Sequence, residues 1–384
     1  MVIVLILVIV NGYKNINNDY IFNGFIHARI KEYQAAGIDV QVFECCPSNW
    51  QPSYNVDGVY VTVGNSHELS LFIDTHKPNA IAIHFINKNM IKGLNKSQYK
   101  PDLYIFIHGA EALYWYERIF PKMFPTIRSF FAFFKRTLYN IVGIYTIKRF
   151  FKEKNHKITL IGVSKWMLSI AIKNYKCKNI NSLVIPNVVR NDIFNFIVKP
   201  LEQRFKILVV RSFSSHKYSP DIVKTVIEKL SHYPVFKKID FLIVGEGIFW
   251  EKYTSAISCF SNVSLKKGFI SQSEVANLHK SYGIFLCPTR QDAQGVSMCE
   301  AMASGLIPIT LFNTAIPEFV PSDLECKNIN DMVKLIIDIA TNSEMFSKYS
   351  NLVSSFIMEK CAPEKTTNLE IDLFKNITII SGEK

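Results

Sequence analysis

The chain has 384 residues, which is too long for a peptide or a small stapled module and predicts about two domains. With 48% hydrophobic and 20% charged residues it can build extensive cores, so its composition excludes a disordered or fibrous protein. The excess of 44 basic over 32 acidic residues gives a net charge of +12, which favours anionic partners such as phosphorylated ligands, nucleic acid or an acidic membrane surface.

The first half alternates β-rich runs with helical stretches. The opening run Met1–Val10 is shorter than the roughly 20 residues of a membrane span, and its Val/Ile content favours a buried strand over the core of a signal peptide. The other predicted elements are a helix near Asn23–Ala36, the strands Asp39–Glu44, Gly58–Val63, Ala80–Ile86, Leu103–His108, Lys157–Val163 and Ser182–Ile185, and the helix Ser164–Tyr175. This alternation indicates a parallel sheet in a Rossmann-like first domain, 1–198.

Residues 114–151 depart from the alternation. Aromatic and basic side chains are densely mixed there, and Glu117 is the only acid before Glu153. Such a mixture suits an amphipathic surface lying on an anionic bilayer. The alternative is a set of helices packed in an ordinary core with snorkelling cations outside, which explains the aromatic residues but not the scarcity of acids.

The second half, 199–384, repeats the α/β alternation and is predicted as another Rossmann-like domain. Its first helix is predicted to begin at Pro220 with Ser219 as N-cap, and its apolar side chains recur on one face. The predicted strands are Phe205–Val210, Phe241–Val244, Val263–Leu265, Ile284–Cys287 and Leu306–Leu311, and further helices are Gln272–Ser281 and Val296–Ser304. Two doubly wound domains in series predict a ligand crevice at the carboxyl ends of the strands.

The eight cysteines are dispersed and form no CxxC pair and no Cys/His cluster with zinc spacing. Most fall inside apolar stretches, as expected of reduced, packed thiols. We therefore predict a cytoplasmic chain without a metal site.

Two cations follow the first strand of the second domain. In the sequence FKILVVRSFSSHK, Arg211 stands at the strand end and Lys217 lies six positions later, just before the predicted helix. An anion in the crevice would meet a bidentate donor and a point charge. Surface cations at strand ends are common, so this pair alone is a weak signal.

The sequence CPTRQDAQGVSMCEAMASG, Cys287–Gly305, predicts a strand end, a polar loop and a helix. Gly295 allows close approach of the backbone to a ligand, and the helix that opens near Val296 offers free N–H groups to an anion. Asp292 and Glu300 add two acceptors for hydroxyl groups. The pattern suits a sugar, a diphosphate and a ribose in a line, and its structural alternative is an ordinary βα turn with a capped helix.

The stretch Pro288–Gly305 resembles the E-x7-E region of the retaining nucleotide-sugar glycosyltransferases of family 4, which have the GT-B fold of two Rossmann-like domains facing across a cleft. Arg211 and Lys217 resemble the family's diphosphate-binding pair. The other matching pieces are Val244–Gly247 (VGEG), Thr314–Val320 (TAIPEFV), the strand-ending His108 in FIHGAE, and the PNG-like turn in Val184–Val188 (VIPNV).

The sequence departs from the family pattern at three places. Asp292 stands where the family usually has Glu, Ala293-Gln294 replaces the common x-Phe, and Val188 replaces the glycine of PNG. Because Asp is one methylene shorter than Glu, the first departure bears on the donor sugar more than on the fold.

The resemblance implies a role for each matching residue. Arg211 and Lys217 would neutralise the donor diphosphate, Asp292 with the backbone of 293–296 would hold sugar hydroxyls, and Glu300 would hold the ribose. His108 would face the transferred sugar from the first domain, and Glu318 would either contact the nucleotide or order its loop. The implied catalytic set is His108, Arg211, Lys217 and Asp292, and the implied donor-binding set is Gly245, Arg211, Lys217, Asp292, Gln294, Gly295, Val296 and Glu300. The resemblance implies no cofactor and no metal, because cations and a helix dipole replace it.

The resemblance makes 1–198 the acceptor domain and 199–384 the nucleotide-sugar domain, with the last helix packing back on the first. We expect a peripheral enzyme on the cytoplasmic face of the membrane that transfers a sugar to a lipid-linked acceptor in capsule, O-antigen or glycolipid synthesis. One alternative is a GT-B epimerase or phosphorylase-like enzyme. Another is a basic nucleic-acid-binding protein, but the chain has no basic helix with base-reading residues and no RNA-binding module, so no nucleic acid partner is expected.

Overall fold

The computed structural model describes residues 4–15, 20–21, 23–46, 52–118, 127–153 and 155–381. The chain divides into two compact units. The first comprises the described residues up to 118, residues 127–188 and residues 363–381. The second is the continuous stretch Val189–Ala362. The binding of the acceptor by the first domain and the binding of the nucleotide-sugar by the second stay predictions.

The first unit is built on a mostly parallel sheet of order β10-β9-β8-β7-β1-β4-β6-β5. Its centre is the opening apolar run, which lies between β7 and β4 and is buried, because Val and Ile fill both faces of a covered strand. The edge strand β5 pairs antiparallel with β6. The short strands β2 and β3 pair with each other in a separate antiparallel ladder. The strand bounds are β1 (Leu5–Val10), β2 (Lys14–Asn15), β3 (Tyr20–Ile21), β4 (Asp39–Cys45), β5 (Tyr54–Val56), β6 (Val59–Gly64), β7 (Ala80–His84), β8 (Asp102–Ile107), β9 (Ile158–Gly162) and β10 (Asn181–Val184).

Helices connect these strands. Side chains cap several of them: Asn65 and Glu68 form a capping box on α2, and Ser164 accepts from the N–H of Met167 at the start of α5. Of the predicted aromatic-basic segment 114–151, residues 119–126 lie outside the described residues, and α4 covers most of the rest. The bounds are α1 (Gly24–Ala35), α2 (Ser66–His76), α3 (Lys88–Lys96), α4 (Ile127–Glu153) and α5 (Lys165–Tyr175).

The second unit has a parallel sheet of order β13-β12-β11-β14-β15. Its helix α6 begins at Pro220 and buries the predicted apolar face. Ser219, however, has a φ of 54° and makes no side-chain cap bond, because it also ends the preceding turn His216–Tyr218. The bounds are β11 (Lys206–Val210), β12 (Asp240–Gly245), β13 (Val263–Lys267), β14 (Ile284–Leu286), β15 (Ile307–Ile309), α6 (Pro220–Leu230), α7 (Trp250–Thr254), α8 (Gln272–His279), α9 (Val296–Ala303), α10 (Ile316–Phe319), α11 (Ile329–Thr341) and α12 (Ser343–Cys361).

The C-terminal helix α13 (Thr367–Ser381) belongs to the first unit. Phe374 is fully buried there, with edge-on contacts to Tyr33 and Tyr104 at ring-centroid distances of 5.3 Å each. Ile371 joins the same core. The chain leaves the first unit after Val188 and re-enters it at Pro363, and beside these two points the N–H of Val189 donates to the carbonyl of Cys361 at 2.8 Å.

A buried arginine ties α13 to the rest of the first unit. Arg29 on α1 is 0% exposed, and its Nε donates to both carboxylate oxygens of Glu370 at 3.0 and 3.2 Å. Its Nη1 donates to Oδ1 of Asn187 at 2.8 Å, and its Nη2 donates to the carbonyl of Pro186 at 3.0 Å. The hydroxyl of Tyr33 also donates to Glu370. One guanidinium therefore joins α1, the turn after β10 and the C-terminal helix.

Removing one partner of this buried pair should cost more stability than removing one partner of an exposed pair. We expect Arg29→Met to lower the free energy of unfolding by about 3–5 kcal/mol, because Glu370 would stay buried without its cation. The control is Arg149→Met, since Arg149 pairs with Glu153 at 2.8 Å on the surface of α4 and such pairs contribute about 0–1 kcal/mol. Urea denaturation measures both variants, and equal losses would contradict the prediction.

Candidate functional site

The predicted donor residues of the second unit gather at the carboxyl ends of its three middle strands. Arg211 directly follows β11, Gly245 ends β12, and the loop before α9 follows β14. β12 and β14 flank β11 on opposite sides, so the order of connections reverses at β11. Ligands of open parallel sheets bind at such a reversal point.

Arg211 lies at the centre of this group and is 9% exposed. Its Nη2 donates to the carbonyl of Pro288 at 2.9 Å, which joins the end of β11 to the loop after β14. Its Nε is buried and has no hydrogen-bond partner in the part of the chain that the structure describes. A buried guanidinium with an unused N–H can accommodate an anion without further rearrangement.

Gly245 allows the backbone of the β11 end to pass close to β12. A Cβ at this position would overlap the carbonyl oxygen of Arg211. The N–H of Arg211 donates to the carbonyl of Val244 at 3.1 Å, and the N–H of Phe213 donates to the carbonyl of Glu246 at 2.8 Å. The VGEG sequence therefore sets the path of the chain that carries Arg211, a backbone role consistent with its place in the predicted donor site.

Lys217 lies in the short turn His216–Tyr218, near Arg211. The Arg211 guanidinium carbon is 5.4 Å from the ring centroid of Tyr218, and Lys217 Nζ is 5.2 Å from the same centroid. The predicted pair of cations is thus brought together around one aromatic ring.

An ion pair that the sequence analysis missed holds this turn against the loop after β14. The two Nη atoms of Arg290 each donate to one carboxylate oxygen of Asp221 at 2.8 Å, and Nη1 also donates to the carbonyl of His216 at 2.9 Å. The backbone N–H of Arg290 donates to the carbonyl of Lys217 at 3.0 Å. Burial opposes ionisation of Asp221, but the hydrogen bonds and charge of Arg290 outweigh it and lower the pKa of this carboxyl. Arg290 lies within the motif stretch Cys287–Gly305, but no local pattern links it to Asp221, which is 69 positions earlier.

Asp292 shapes the start of α9. Its Oδ1 accepts from the N–H of Gly295 at 3.1 Å. The hydroxyl of Thr314 accepts from the N–H of Asp292 at 3.1 Å and donates to its carbonyl at 3.0 Å. Gly295 has a φ of 81°, a conformation that favours glycine, and α9 begins at the next residue, Val296. The TAIPEFV motif therefore supports the loop that holds Asp292.

Gln294 is buried, and its side chain is directed at thiols of its own unit. Its Nε2 donates to Sγ of Cys361 at 3.4 Å and lies 4.0 Å from Sγ of Cys299. The structure thus places this predicted donor-binding side chain in the interior of the second unit.

Glu300 accepts a hydrogen bond from Gln272, a residue of α8 that the sequence analysis did not select. The distance from Gln272 Nε2 to Glu300 Oε1 is 3.1 Å. Burial raises the pKa of Glu300 to about 7, and the hydrogen bond from Gln272 opposes that rise only in part. Because this carboxyl changes its charge near neutral pH, a ligand that needs the carboxylate would bind in a pH-dependent way.

His108 belongs to the first unit, whereas the other predicted site residues belong to the second. It directly follows β8, and its ring packs against Phe25 and Phe85 at centroid distances of 4.9 and 4.7 Å. The backbone N–H of His108 donates to the buried carboxylate of Glu111. Burial, and secondarily the charge of Arg29, hold the pKa of His108 well below its usual value, so the ring is neutral at physiological pH.

The described residues show neither a cluster of metal ligands nor a bilayer-spanning helix. They contain no group of three or more His, Cys, Asp and Glu side chains that could hold a metal ion. None of the helices in this part of the chain combines the length and hydrophobicity that a bilayer span requires.

Comparison with known families gives a match in the second unit. Residues 204–342 match the family described as glycosyl transferases group 1, and that range contains every predicted site residue except His108. No curated protein sequence matches the chain.

Solved structures match more of the chain. Sucrose-phosphate synthase from Thermosynechococcus elongatus matches with a TM-score of 0.75 at 12% identity, over 98% of this chain and 100% of that one. WaaG, a glycosyltransferase involved in lipopolysaccharide biosynthesis, matches with a TM-score of 0.64 at 15% identity, over 95% of this chain and 99% of WaaG. TarM matches with a TM-score of 0.60 at 17% identity over 80% of this chain. The matched part spans only 57% of the length of TarM. These likenesses confirm the predicted GT-B fold, and together with the family match they support a glycosyltransferase of the GT-B type.

Proposed function

We propose that the chain is a retaining glycosyltransferase of family 4 that transfers a sugar from a nucleotide-sugar to a carbohydrate acceptor. The observation that carries the proposal is the buried Arg211 guanidinium, whose Nε lacks a partner among the described residues, close to Lys217. A diphosphate supplies the missing acceptor and neutralises both cations. Proteins of this fold bind such ligands: TarM of S. aureus has been solved with UDP, and starch synthase IV from Arabidopsis thaliana with ADP and acarbose.

The remaining residues of the site suit the other parts of the donor. The N–H groups of Val296 and Ser297, the first two residues of α9, favour a phosphate, because the first turn of a helix leaves such groups without i−4 partners and carries the positive end of the helix dipole. Glu300, four residues into α9, holds the ribose hydroxyls, and Asp292 holds hydroxyls of the sugar. The resemblance assigns His108 a contact with the transferred sugar.

In the proposed reaction the bond between the sugar's anomeric carbon and the donor phosphate breaks, and a hydroxyl of the acceptor attacks the same face of the sugar. The departing phosphate accepts the proton of that hydroxyl, so no separate carboxylate base is needed. Arg211 and Lys217 stabilise the charge that develops on the leaving diphosphate, a task that a divalent metal performs in other enzymes. Positioning and leaving-group stabilisation supply most of the rate enhancement.

Loss of either cation should weaken diphosphate binding. A panel of UDP, GDP and ADP, screened by thermal stabilisation, identifies the nucleotide that binds best. For that nucleotide we expect Lys217→Gln to lower affinity by about tenfold or more, because a charged contact contributes about 1.5–3 kcal/mol. Calorimetry measures the loss, and the matched control is Lys334→Gln, which removes an exposed lysine paired with Asp338 in the same unit.

Near-normal affinity and transfer in both Lys217→Gln and Arg211→Gln would overturn the diphosphate site. Transfer assays with and without a sugar acceptor address the alternative enzymes. Turnover of the nucleotide-sugar that is equally fast with water or inorganic phosphate would favour an epimerase or phosphorylase-like reaction over transfer.

Nucleotide affinity should depend on the charge of Glu300. Since burial raises the pKa of this carboxyl to about 7, it gains a proton as the pH falls through that value and becomes a weaker acceptor for ribose hydroxyls. We expect affinity to fall by up to about tenfold between roughly pH 8 and pH 6, beyond the change that titration of the phosphate itself causes. In the variant Glu300→Gln only the titration of the phosphate changes affinity with pH. Superimposable pH profiles of the variant and the unmodified protein would therefore show that Glu300 does not contact the nucleotide.

We further propose that the acceptor is lipid-linked and that α4 docks the protein on the anionic inner leaflet. One face of α4 exposes apolar side chains at helical spacing, of which Tyr145 is 65% exposed: Phe134, Leu138, Ile141, Val142 and Tyr145. Exposed Arg149 and Lys152 continue the same helix. An exposed apolar stripe that ends in cations suits an anionic bilayer, since the stripe enters the interface and the cations meet the headgroups. Of the basic residues in the predicted aromatic-basic segment, the side chains of Lys135 and Arg136 lie outside the described residues.

Sedimentation with vesicles tests the docking. We expect binding to vesicles with anionic lipid that weakens as salt rises, and a loss of roughly hundredfold in the variant Lys148→Gln/Arg149→Gln/Lys152→Gln, at about 1 kcal/mol per basic residue. The control changes the exposed Lys266 and Lys267 of the second unit to Gln. Equal binding of both variants would assign the cations of α4 to an ordinary solvated face.

A further inference from the structure

A second histidine lies behind His108. His84 ends β7, the strand next to β8, and is 0% exposed. Its Nδ1 is 2.9 Å from Nε2 of His108, and the two rings stack at a centroid distance of 5.2 Å and an interplanar angle of 22°. The resemblance to family 4 rests on His108 and assigns nothing to His84.

The hydrogen bond between the two rings needs one proton. Burial, the neighbouring His108 and then Arg29 lower the pKa of His84, and burial also lowers that of His108, so both rings are neutral at physiological pH. A neutral imidazole carries one N–H, so the bond has two possible directions. Either His84 donates from Nδ1, or His108 donates from Nε2.

The other nitrogen of His84 decides between these directions. Its Nε2 is buried and has no hydrogen-bond partner within the described residues. If His108 were the donor, this Nε2 would carry a buried N–H with no acceptor, and orphaned donors are the rarest kind of unsatisfied buried group. If His84 donates from Nδ1, Nε2 carries no proton and only a lone pair is left unsatisfied.

We propose that His84 is a positioning residue that donates from Nδ1 to Nε2 of His108 and so fixes His108 as the Nδ1–H tautomer. The Nδ1–H of His108 has no hydrogen bond to any residue that the structure describes and is the group left for a ligand. If the proposed transferase function holds, this N–H donates to an oxygen of the transferred sugar. Arg29, whose guanidinium carbon is 5.4 Å from the centroid of the Phe106 ring, adds its positive charge to the effect of burial and so further disfavours a second proton on either ring.

The tautomer can be measured without any assay of activity. In protein labelled with 15N in its nine histidines, the two- and three-bond couplings between ring nitrogens and carbon-bound protons show which nitrogen carries the proton. The variant His108→Gln assigns the signals of that ring by their loss. We expect His108 to carry its proton on Nδ1 in the unmodified protein, and a proton on Nε2 would overturn the proposal.

Three variants separate positioning from general damage. His84→Leu removes the donor, and we expect His108 to become a mixture of tautomers. His84→Asn places an amide nitrogen near the position of Nδ1 and should restore the Nδ1–H form. The matched control is His279→Leu in the second unit. His279 is also buried and also bonds through Nδ1, to Ser304 at 3.2 Å, and its Nε2 likewise has no partner among the described residues.

Transfer rates then complete the test. His84→Leu should lower kcat/KM by about tenfold, the order of one hydrogen bond, with recovery in His84→Asn and little change in His279→Leu. An unchanged tautomer in His84→Leu, or equal loss of rate in His84→Leu and His279→Leu, would overturn the positioning role. Absence of transfer by the unmodified protein would instead count against the proposed function, and the tautomer measurement would still decide this inference.

Discussion

The first unit depends on one buried positive charge. Arg29 has no access to water, so its guanidinium is stable only while Glu370, Asn187 and the carbonyl of Pro186 surround it. These partners come from the C-terminal helix and from the turn after the last strand of the unit. The need to satisfy one side chain therefore fixes where the chain leaves the unit and where it returns, and the Asn of the VIPNV sequence has its structural reason here.

The site in the second unit depends on a different constraint, which is that position 245 has no side chain. Gly245 lets the end of β11 approach β12, which places Arg211 where it reaches the carbonyl of Pro288. Arg290 and Asp221 then hold the turn that carries Lys217 against the same loop. The two cations are thus positioned by backbone contacts and by a separate ion pair, and neither needs an acidic side chain that would compete with an anionic ligand.

The sequence allowed prediction of the parts of this molecule that depend on local pattern. The strand and helix alternation, the buried first strand, the apolar face of α6 and the clustering of Arg211 with Lys217 all follow from the periodicity of residues or from the rule that parallel strands end at one edge. The match of residues 204–342 to group 1 glycosyl transferases agrees with the resemblance seen in the motifs.

The pairs between distant segments could not be predicted, because no pattern in one segment encodes its partner in another. Arg29 and Glu370 are 341 positions apart, and His84 and His108, Gln272 and Glu300, and Asp221 and Arg290 meet only once the sheets are assembled. The motif predicts a donor contact for Gln294, yet tertiary packing directs its side chain to Cys361. Ser219 has the composition of a helix cap but is held in a left-handed turn by the residues before it.

The position of α13 has a consequence for the biosynthesis of the chain. Translation delivers the first unit's strands early, but Ile371 and Phe374 of its core come after the whole of Val189–Ala362. At a synthesis rate of about 5–20 residues per second, Glu370 is added on the order of 20–70 s after Arg29, which lacks its buried partner until then. The second unit is therefore complete on the ribosome before the first, and a nascent chain exposes an unfinished N-terminal core that chaperones would have to shield. Loss of residues 363–381 would therefore damage the unit whose strands are synthesised first.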